Sequence, residues 1–421
     1  MTSQVVRTPT CATTNQWLGW GDVPSRFPSA SFRVFAPGRV NLIGEHIDYS
    51  GLSVLPMAIP RGVELTVTVR DDDVISLRND DERYSPSRFR AAADIEPAPA
   101  GGWSNYVRAP VQATVRDHPG RAGWRGFDAT IRSDLPAAAG LSSSAAMVVG
   151  SGLAFATANE LGLEPVAFAE LMADAERYVG VRAGGMDQAI CVGGTEHCAS
   201  RVDFSPLRMT AIRVPSRWAF IVAHSLVTAE KAGAARAGYN QRTTECRRAL
   251  EAIWARVAPP GTADAASYRE LLALETDTDA LCRLGERELD PVLASRFVHT
   301  ISEAQRVRTA QIALEHDDLD SFASAMAASH ASLRDRFGVS SPQLDRVVEL
   351  ALRSGARGAR LTGAGFGGCA IVLCTRDTVS GVLDRMRADY APRLPRGAQL
   401  DDVLFAVTPS QGARVIGPSP A

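Results

Sequence analysis

Residues 136–146, Pro136-Ala-Ala-Ala-Gly140-Leu141-Ser142-Ser143-Ser144-Ala145-Ala146, constrain this chain more than any other stretch, because a run of small residues passes directly into the apolar helical pattern Met147-Val148-Val149. Gly140 lets a backbone approach a ligand with no Cβ in the way. The first amide N–H groups of a helix have no intrahelical partner and lie at its positive end. Together these make an anion cradle sized for a phosphate, to which the serine hydroxyls add donors and one hard oxygen for a Mg²⁺ ion. Taken alone, the same run also reads as a serine N-cap with small residues packed behind it. Two further stretches shift the balance toward the cradle. They are Ala36-Pro37-Gly38-Arg39-Val40-Asn41-Leu42-Ile43-Gly44-Glu45-His46-Ile47-Asp48-Tyr49 and Leu361-Thr362-Gly363-Ala364-Gly365-Phe366-Gly367-Gly368-Cys369.

Charge limits the partners. Forty-five basic residues against 47 acidic ones leave a net charge of −2, so no global field favours nucleic acid and any phosphate site must be local. Lys231 is the single lysine and lies far from any glycine-rich loop, which excludes a Walker-type Gly-x-x-x-x-Gly-Lys site and leaves the work to backbone amides. Protein-kinase signatures are missing too. The seven cysteines are scattered and never form Cys-x-x-Cys, the usage of a reduced, cytoplasmic chain. Glu196-His197-Cys198 has no partner pair at zinc spacing. No unbroken apolar run suggests a signal peptide or a membrane span. With 421 residues, 45% of them hydrophobic, the chain is long enough for two domains with proper cores.

Read in order, a polar arm precedes the alternating strand Phe32–Ala36, which Pro37-Gly38 is expected to end. Residues 39–51 crowd Arg, Asn, Glu, His, Asp and Tyr between apolar anchors, a density of polar groups that is costly in a core unless the groups converge on a partner. Val63–Val69 alternates as a strand, Asp71-Asp72-Asp73 reads as a solvated turn, and residues 78–102 read as an exposed polar excursion. A helix opens after Trp103, and Gly126–Ile131 is a strand that delivers the chain to the cradle. Pro165–Val179 has helical spacing with Glu176 near its end, and Gly184-Gly185-Met186-Asp187-Gln188 is a turn whose apolar flanks favour a buried carboxylate. A second half begins near residue 215 with the buried strand Trp218–Ala223. Helical patterns follow at 228–256, which bears Lys231 and Tyr239, and at 299–316, 319–330 and 342–354. The last of these starts on Ser341-Pro342. Gly363–Gly368 feeds the strand Ala370–Cys374, and Val403–Val407 is a closing strand.

The three stretches, in this order and at these separations, resemble the three motifs of the GHMP small-molecule kinases, and the first is similar to the galactokinase signature almost letter for letter. Trp103-Ser-Asn-Tyr-Val107, Gly185-Met186-Asp187-Gln188, Tyr239-Asn240-Gln241-Arg242 and Ser329-His330-Ala-Ser-Leu-Arg334 support the resemblance, which covers about residues 32 to 408. It implies an α+β, two-lobed GHMP kinase fold with mixed sheets and helices and an active site between the lobes. The expected division is an arm (1–31), an N-terminal domain with the phosphate loop (32–214) and a C-terminal domain (215–421). It further implies ATP and Mg²⁺ as cofactors, a small-molecule sugar as substrate, no nucleic-acid or membrane partner, and a monomer or weak oligomer.

Carried over position by position, Asp187 resembles the carboxylate that takes the proton of a sugar's anomeric hydroxyl. Arg39 resembles the cation that keeps that carboxylate ionised and neutralises charge on the transferred phosphoryl group. Glu45, His46, Asp48 and Tyr239 match sugar-hydroxyl contacts, with Gly184 leaving room for the ring. Gly140, Leu141, Ser142, Ser143, Ser144 and Ala145 match the nucleotide loop, Trp103 an adenine contact, and Ser144 with Glu176 the magnesium ligands. Ile47, Ser53, Asp203–Arg208 and Lys231-Ala232 lean toward the N-acetylgalactosamine kinase branch of the family. Tyr239 leans toward the galactokinases. A catalytically silent sugar sensor and a GHMP kinase for another alcohol are the rivals. The intact Ser142–Ala146 run opposes the first, and the Glu45-His46-Ile47-Asp48-Tyr49 cluster opposes the second.

Overall fold

The computed structural model describes residues 31–99, 101–136, 139–180, 184–227, 234–259 and 267–417. The arm to residue 30, Ala137-Ala138 of the small-residue loop, Lys231 and residues 260–264 of Pro259-Pro260-Gly261-Thr-Ala-Asp264, a run whose composition reads as a surface loop, lie outside them.

The first motif is the hub. β1 (Ser31–Ile43) and β2 (Leu55–Val69) pair as a long antiparallel ribbon that buries Val34, Ala36, Val40 and Leu42. The strand does not stop at Pro37-Gly38 as expected. The pairing register shifts between Pro37 and Arg39, and again between Asn41 and Ile43, and the strand runs on. Such irregularities free N–H groups from the ladder and re-aim them. Here the Arg39 N–H reaches Leu141 O at 3.1 Å, and the Asn41 N–H reaches Thr362 Oγ1 at 2.9 Å. One strand thereby touches the other two motifs.

β3 (Val74–Asn79) and β4 (Ser87–Arg90) follow, so the stretch 78–102 is largely exposed as read but carries an edge strand that its composition does not suggest. An edge strand needs only one apolar face, which Phe89 supplies. The segment after it is pinned from α1 (Asn105–Asp117) by Gln112 Oε1, which accepts the Ile95 N–H at 2.7 Å, and by Asn105, whose amide bonds both backbone groups of Ala98. β5 (Phe127–Ser133) then leads to α2 (Ser143–Ala158), a helix buried on nearly all sides, as its continuous apolar sequence demands. α3 (Pro165–Glu176) and α4 (Met186–Gly193) pack around α2, and β6 (Cys198–Asp203) and β7 (Arg208–Arg213) form a separate hairpin.

In the second lobe, β8 (Trp218–His224) precedes the helices α5 (Ala234–Val257), α6 (Tyr268–Leu274), α7 (Thr278–Glu288), α8 (Pro291–Glu315) and α9 (Leu319–Ser332). α9 runs into a π turn, Leu333–Phe337. α10 (Pro342–Arg353) starts as read, with Ser341 Oγ accepting the Leu344 N–H and Pro342 in the first turn. β9 (Gly358–Thr362), β10 (Cys369–Thr375), α11 (Val379–Tyr390), α12 (Leu400–Val403), β11 (Leu404–Val407) and the short β12 (Arg414–Val415) complete the order. The second sheet runs β11-β8-β10-β9, antiparallel throughout. The first runs β12-β1-β2-β5-β3-β4, so the end of the chain returns to the first lobe and pairs Val415 with Val34. This is an α+β fold of mixed sheets and helices.

Candidate active site

The cradle is built from unusual backbone. Gly140 (φ +74°) and Ser142 (φ +59°) are both left-handed, and α2 begins at Ser143. Ser142 does not cap the helix through its side chain; its hydroxyl donates to Asp187 Oδ2 at 2.5 Å. Behind the loop stands the glycine run of the third motif. A Cβ on Gly363 would lie 2.6 Å from Gly140 O, and one on Gly368 would lie 2.8 Å from Ala139 O. Backbone packs on backbone there, which only glycine permits.

Arg39 and Asp187 form the central pair. Arg39 Nε and Nη2 both reach Asp187 Oδ1, at 2.8 and 2.7 Å, while Arg39 Nη1 donates to Gly140 O at 2.6 Å. One guanidinium therefore ties the carboxylate to the cradle. The arginine side chain is 6% exposed and the aspartate 19%, so the carboxylate is the accessible end of the pair. With Arg39 on one oxygen and Ser142 on the other, its orientation is fixed.

Asp48, in the 3₁₀ turn Asp48–Ser50, faces the same point. Burial, reinforced by the nearby Asp187 charge, pushes its carboxyl up to about 7. Gly184 packs against this turn so closely that a Cβ there would sit 2.6 Å from Asp48 Oδ2. From the other lobe, α5 brings Tyr239 within electrostatic reach of Asp48, Asp187 and Glu176, and burial raises its hydroxyl well above the ordinary tyrosine value. Rings complete the wall: His46 lies 5.4 Å from Tyr239 and 4.9 Å from Phe337, centroid to centroid, and Tyr49 meets Tyr239 edge-on at 5.5 Å.

His46 and Glu45 are engaged by protein atoms. His46 Nε2 donates to Ala364 O (3.1 Å), which leaves Nδ1 to accept from Tyr49 Oη (3.2 Å). Burial pushes this imidazole down to about 3, so it is neutral. Glu45, also buried, accepts from Asn41 Nδ2 and from the Gly363 N–H, with Arg360 Nη1 3.7 Å away. Burial raises its carboxyl against the pull of Arg360 and Arg39.

Glu176, at the end of α3, is buried and accepts from Gln188 Nε2 at 2.6 Å. Ser144 stands half-buried in the first turn of α2. Among the described residues no cluster of three or more His, Cys, Asp or Glu side chains could hold a metal ion. Mg²⁺ at phosphate sites is held instead by one or two protein oxygens plus phosphate and water, so a carboxylate with a hydroxyl suits it. Trp103 rests edge-on against Tyr84, and its indole N–H donates to Ser85 O at 3.0 Å.

Three family models match the chain: the galactokinase galactose-binding signature at residues 25–69, the GHMP kinases N-terminal domain at 105–195 and the GHMP kinases C-terminal domain at 310–392. The galactokinase of Haemophilus influenzae is 33% identical over 396 residues, 91% of this chain and 94% of that protein. The chain belongs to the galactokinase family of the GHMP kinases. It is a sugar kinase.

Among solved structures, the kinase resembles Lactococcus lactis galactokinase complexed with galactose, with a TM-score of 0.80 and 27% identity, covering 93% of this chain and 97% of that one. The mevalonate kinase of Methanococcus jannaschii shares the fold at a TM-score of 0.60 and 18% identity, over 91% of this chain and all of that one. Sequence reasoning did not single out the link from Ser142 to Asp187, the buried Arg360 beside Glu45, or Phe337 against His46. Arg360 adjoins the third motif, which was a signal. Phe337 had none, since only the π turn at the end of α9 brings its ring inward.

Proposed function

We propose that this kinase transfers the γ-phosphoryl group of ATP to the anomeric hydroxyl of galactose, giving galactose 1-phosphate and ADP. The observation that carries the proposal is the Arg39–Asp187–Ser142 junction at the head of the α2 cradle, facing Asp48, Gly184 and Tyr239. In that reading the anomeric oxygen attacks the γ-phosphorus, the bond to the β–γ bridging oxygen breaks, and the hydroxyl proton passes to the Asp187 carboxylate. The Arg39 guanidinium keeps one carboxylate oxygen engaged and stands beside the developing phosphoryl charge. The Gly140–Ala145 backbone and the positive end of α2 receive the phosphates, and Trp103 packs on the adenine. Ser144 and Glu176 are the residues that would hold Mg²⁺, which when bound offsets charge on the β- and γ-phosphates. Asp48, Glu45, His46 and Tyr239 shape the sugar subsite, and Gly184 leaves it room.

The galactose-binding signature and the Haemophilus relative support galactose over its 2-acetamido derivative. ADP release measured with galactose, N-acetylgalactosamine, glucuronic acid, galacturonic acid and arabinose tests the reading. Galactose should give the highest kcat/KM. Absence of turnover with every sugar would overturn it in favour of a sensor.

A further inference from the structure

The turn that carries Glu45 and His46 toward Asp48 does not hold its own shape. Gly44 has φ +103° and His46 has φ +63°, and a histidine in the left-handed region is uphill unless its surroundings fix it. The groups that fix it come from α8, in the other lobe. Glu303 Oε1 accepts the Gly44 N–H at 3.0 Å, and His299 Nε2 donates to Glu45 O at 3.2 Å. These two residues stand one helical turn apart on one face of α8, and neither has any solvent exposure.

Both are themselves held by a further set of groups. Ser329 Oγ donates to Glu303 Oε1 and Arg306 Nε to Oε2, each at 2.6 Å. Ser332 Oγ meets His299 Nδ1 at 2.9 Å. The carbonyl of Glu45 can only accept, so His299 carries its proton on Nε2, and Ser332 must then donate to Nδ1. Burial opposes the ionised form of Glu303, but Arg306, His299 and Arg360 outweigh it and hold the carboxyl down to about 2. It is a fixed anion presented to a backbone N–H, the stronger kind of hydrogen bond.

We propose that His299 and Glu303 are positioning residues for phosphoryl transfer: from the second lobe they seat the Gly44–His46 turn, and through it aim the His46 ring and the Asp48 carboxylate at the sugar. The inference rests on the sugar-kinase reading of the site. It goes beyond that reading in making sugar orientation depend on a helix whose two residues bond the backbone of the first motif and are shut off from solvent. Misplacement of a reacting group by about 1 Å costs about 10²-fold in rate, so loosening this turn should cost far more in turnover than two buried hydrogen bonds suggest.

The test compares His299→Leu, His299→Gln, Glu303→Gln and Ser332→Ala with the parent kinase, measuring kcat and KM for galactose and for ATP, and the melting temperature. His299→Leu removes the donor, and kcat/KM for galactose should fall by about 10²-fold while KM for ATP stays within about twofold. His299→Gln places a carboxamide N–H near the position of Nε2 and should recover most of that loss. Glu303→Gln keeps an acceptor for the Gly44 N–H but loses the charge, and should show a smaller loss confined to galactose. Lower melting temperature with unchanged kcat and KM in the folded protein would overturn the proposal, because a merely structural pair predicts that result. If the larger changes prevent folding, Ser332→Ala decides. It frees the His299 tautomer, so a severalfold loss in kcat/KM for galactose alone supports positioning and no change refutes it. Absence of turnover by the parent kinase would refute the underlying reading instead.

Discussion

Gly184→Ala is the sharpest perturbation the site offers, because one methyl group meets backbone rather than a movable side chain. The new Cβ would stand 2.5 Å from Asp48 C and 2.6 Å from Asp48 Oδ2, with Tyr49 N also in conflict. Rotating the Asp48 side chain relieves only the oxygen. Ordinary carbon contacts begin near about 3.5 Å, so the Asp48–Tyr49 backbone must retreat by about 1 Å. Overpacking of this kind costs about 1–3 kcal/mol, and a 1 Å misplacement of a binding group costs about 10²-fold in rate. The variant should therefore melt earlier and lose about 10²-fold in kcat/KM for galactose. KM for ATP should change by less than about twofold, since the cradle is built on α2 and not on this turn. Gly162→Ala, at an exposed position where a Cβ meets nothing within 4 Å, is the matched control and should change neither quantity. Calorimetry and steady-state kinetics on the two variants suffice. Unchanged galactose kinetics and melting in Gly184→Ala would show that the Asp48 turn does not depend on this contact.

Asp187→Asn keeps the shape and removes the base; kcat should drop at least about 10²-fold while calorimetric titration still detects galactose, and a near-normal kcat would leave the transfer to Arg39 and positioning alone. Glu176→Gln should shift the Mg²⁺ dependence of turnover to higher concentration with sugar binding nearly unchanged, whereas equal loss of sugar binding would make Glu176 structural. The pH dependence of stability supplies another check. Burial and then Asp187 raise the Asp48 carboxyl to about 7, so the folded state keeps a proton that the unfolded chain releases near pH 4. Its contribution is full below about pH 4 and is lost as pH rises to about 7. His46, pushed down by burial to about 3, has the opposite sign: its contribution is present above about pH 6.5 and is lost as pH falls toward 3. Melting profiles of parent and Asp48→Asn should diverge between pH 4 and 7 and run parallel above. A difference independent of pH would refute the assignment.

The three motifs were legible because their chemistry is written in local order: small residues before an apolar helix, glycines beside a strand, and polar side chains packed between apolar anchors. Val63–Val69, with one clean apolar face, was legible for the same reason, and Ala370–Cys374 as a continuous apolar run buried on both faces. The continuation of β1 through Pro37-Gly38 was not, because the partners that draw Arg39 and Asn41 onward are Leu141 and Thr362, distant in sequence. β4 was hidden by the polar composition of an edge, and the β6–β7 hairpin by the mostly exposed β7, whose only buried residue is Ile212. The partners that Glu45 and His46 find in the third motif, Gly363 N and Ala364 O, are backbone atoms, which no side-chain pattern announces.

The close seat of Gly363 and Gly368 on Gly140 and Ala139 bears on how the molecule is made. The floor of the cradle leaves the ribosome 223 residues before the glycines that back it, the interval from position 140 to position 363. At about 5–20 residues per second that is a delay of about 10–45 s. The outer edge of β1 waits longer still, since its neighbour β12 lies at Arg414–Val415. During that interval the nascent first lobe has an unpaired strand edge and a cradle without its glycine backing, so in the proposed reading ATP cannot yet stabilise it by mass action. If Ser142–Ala145 receive the nucleotide as proposed, truncation anywhere before residue 363 should abolish ATP binding even with that run intact, which equilibrium dialysis checks.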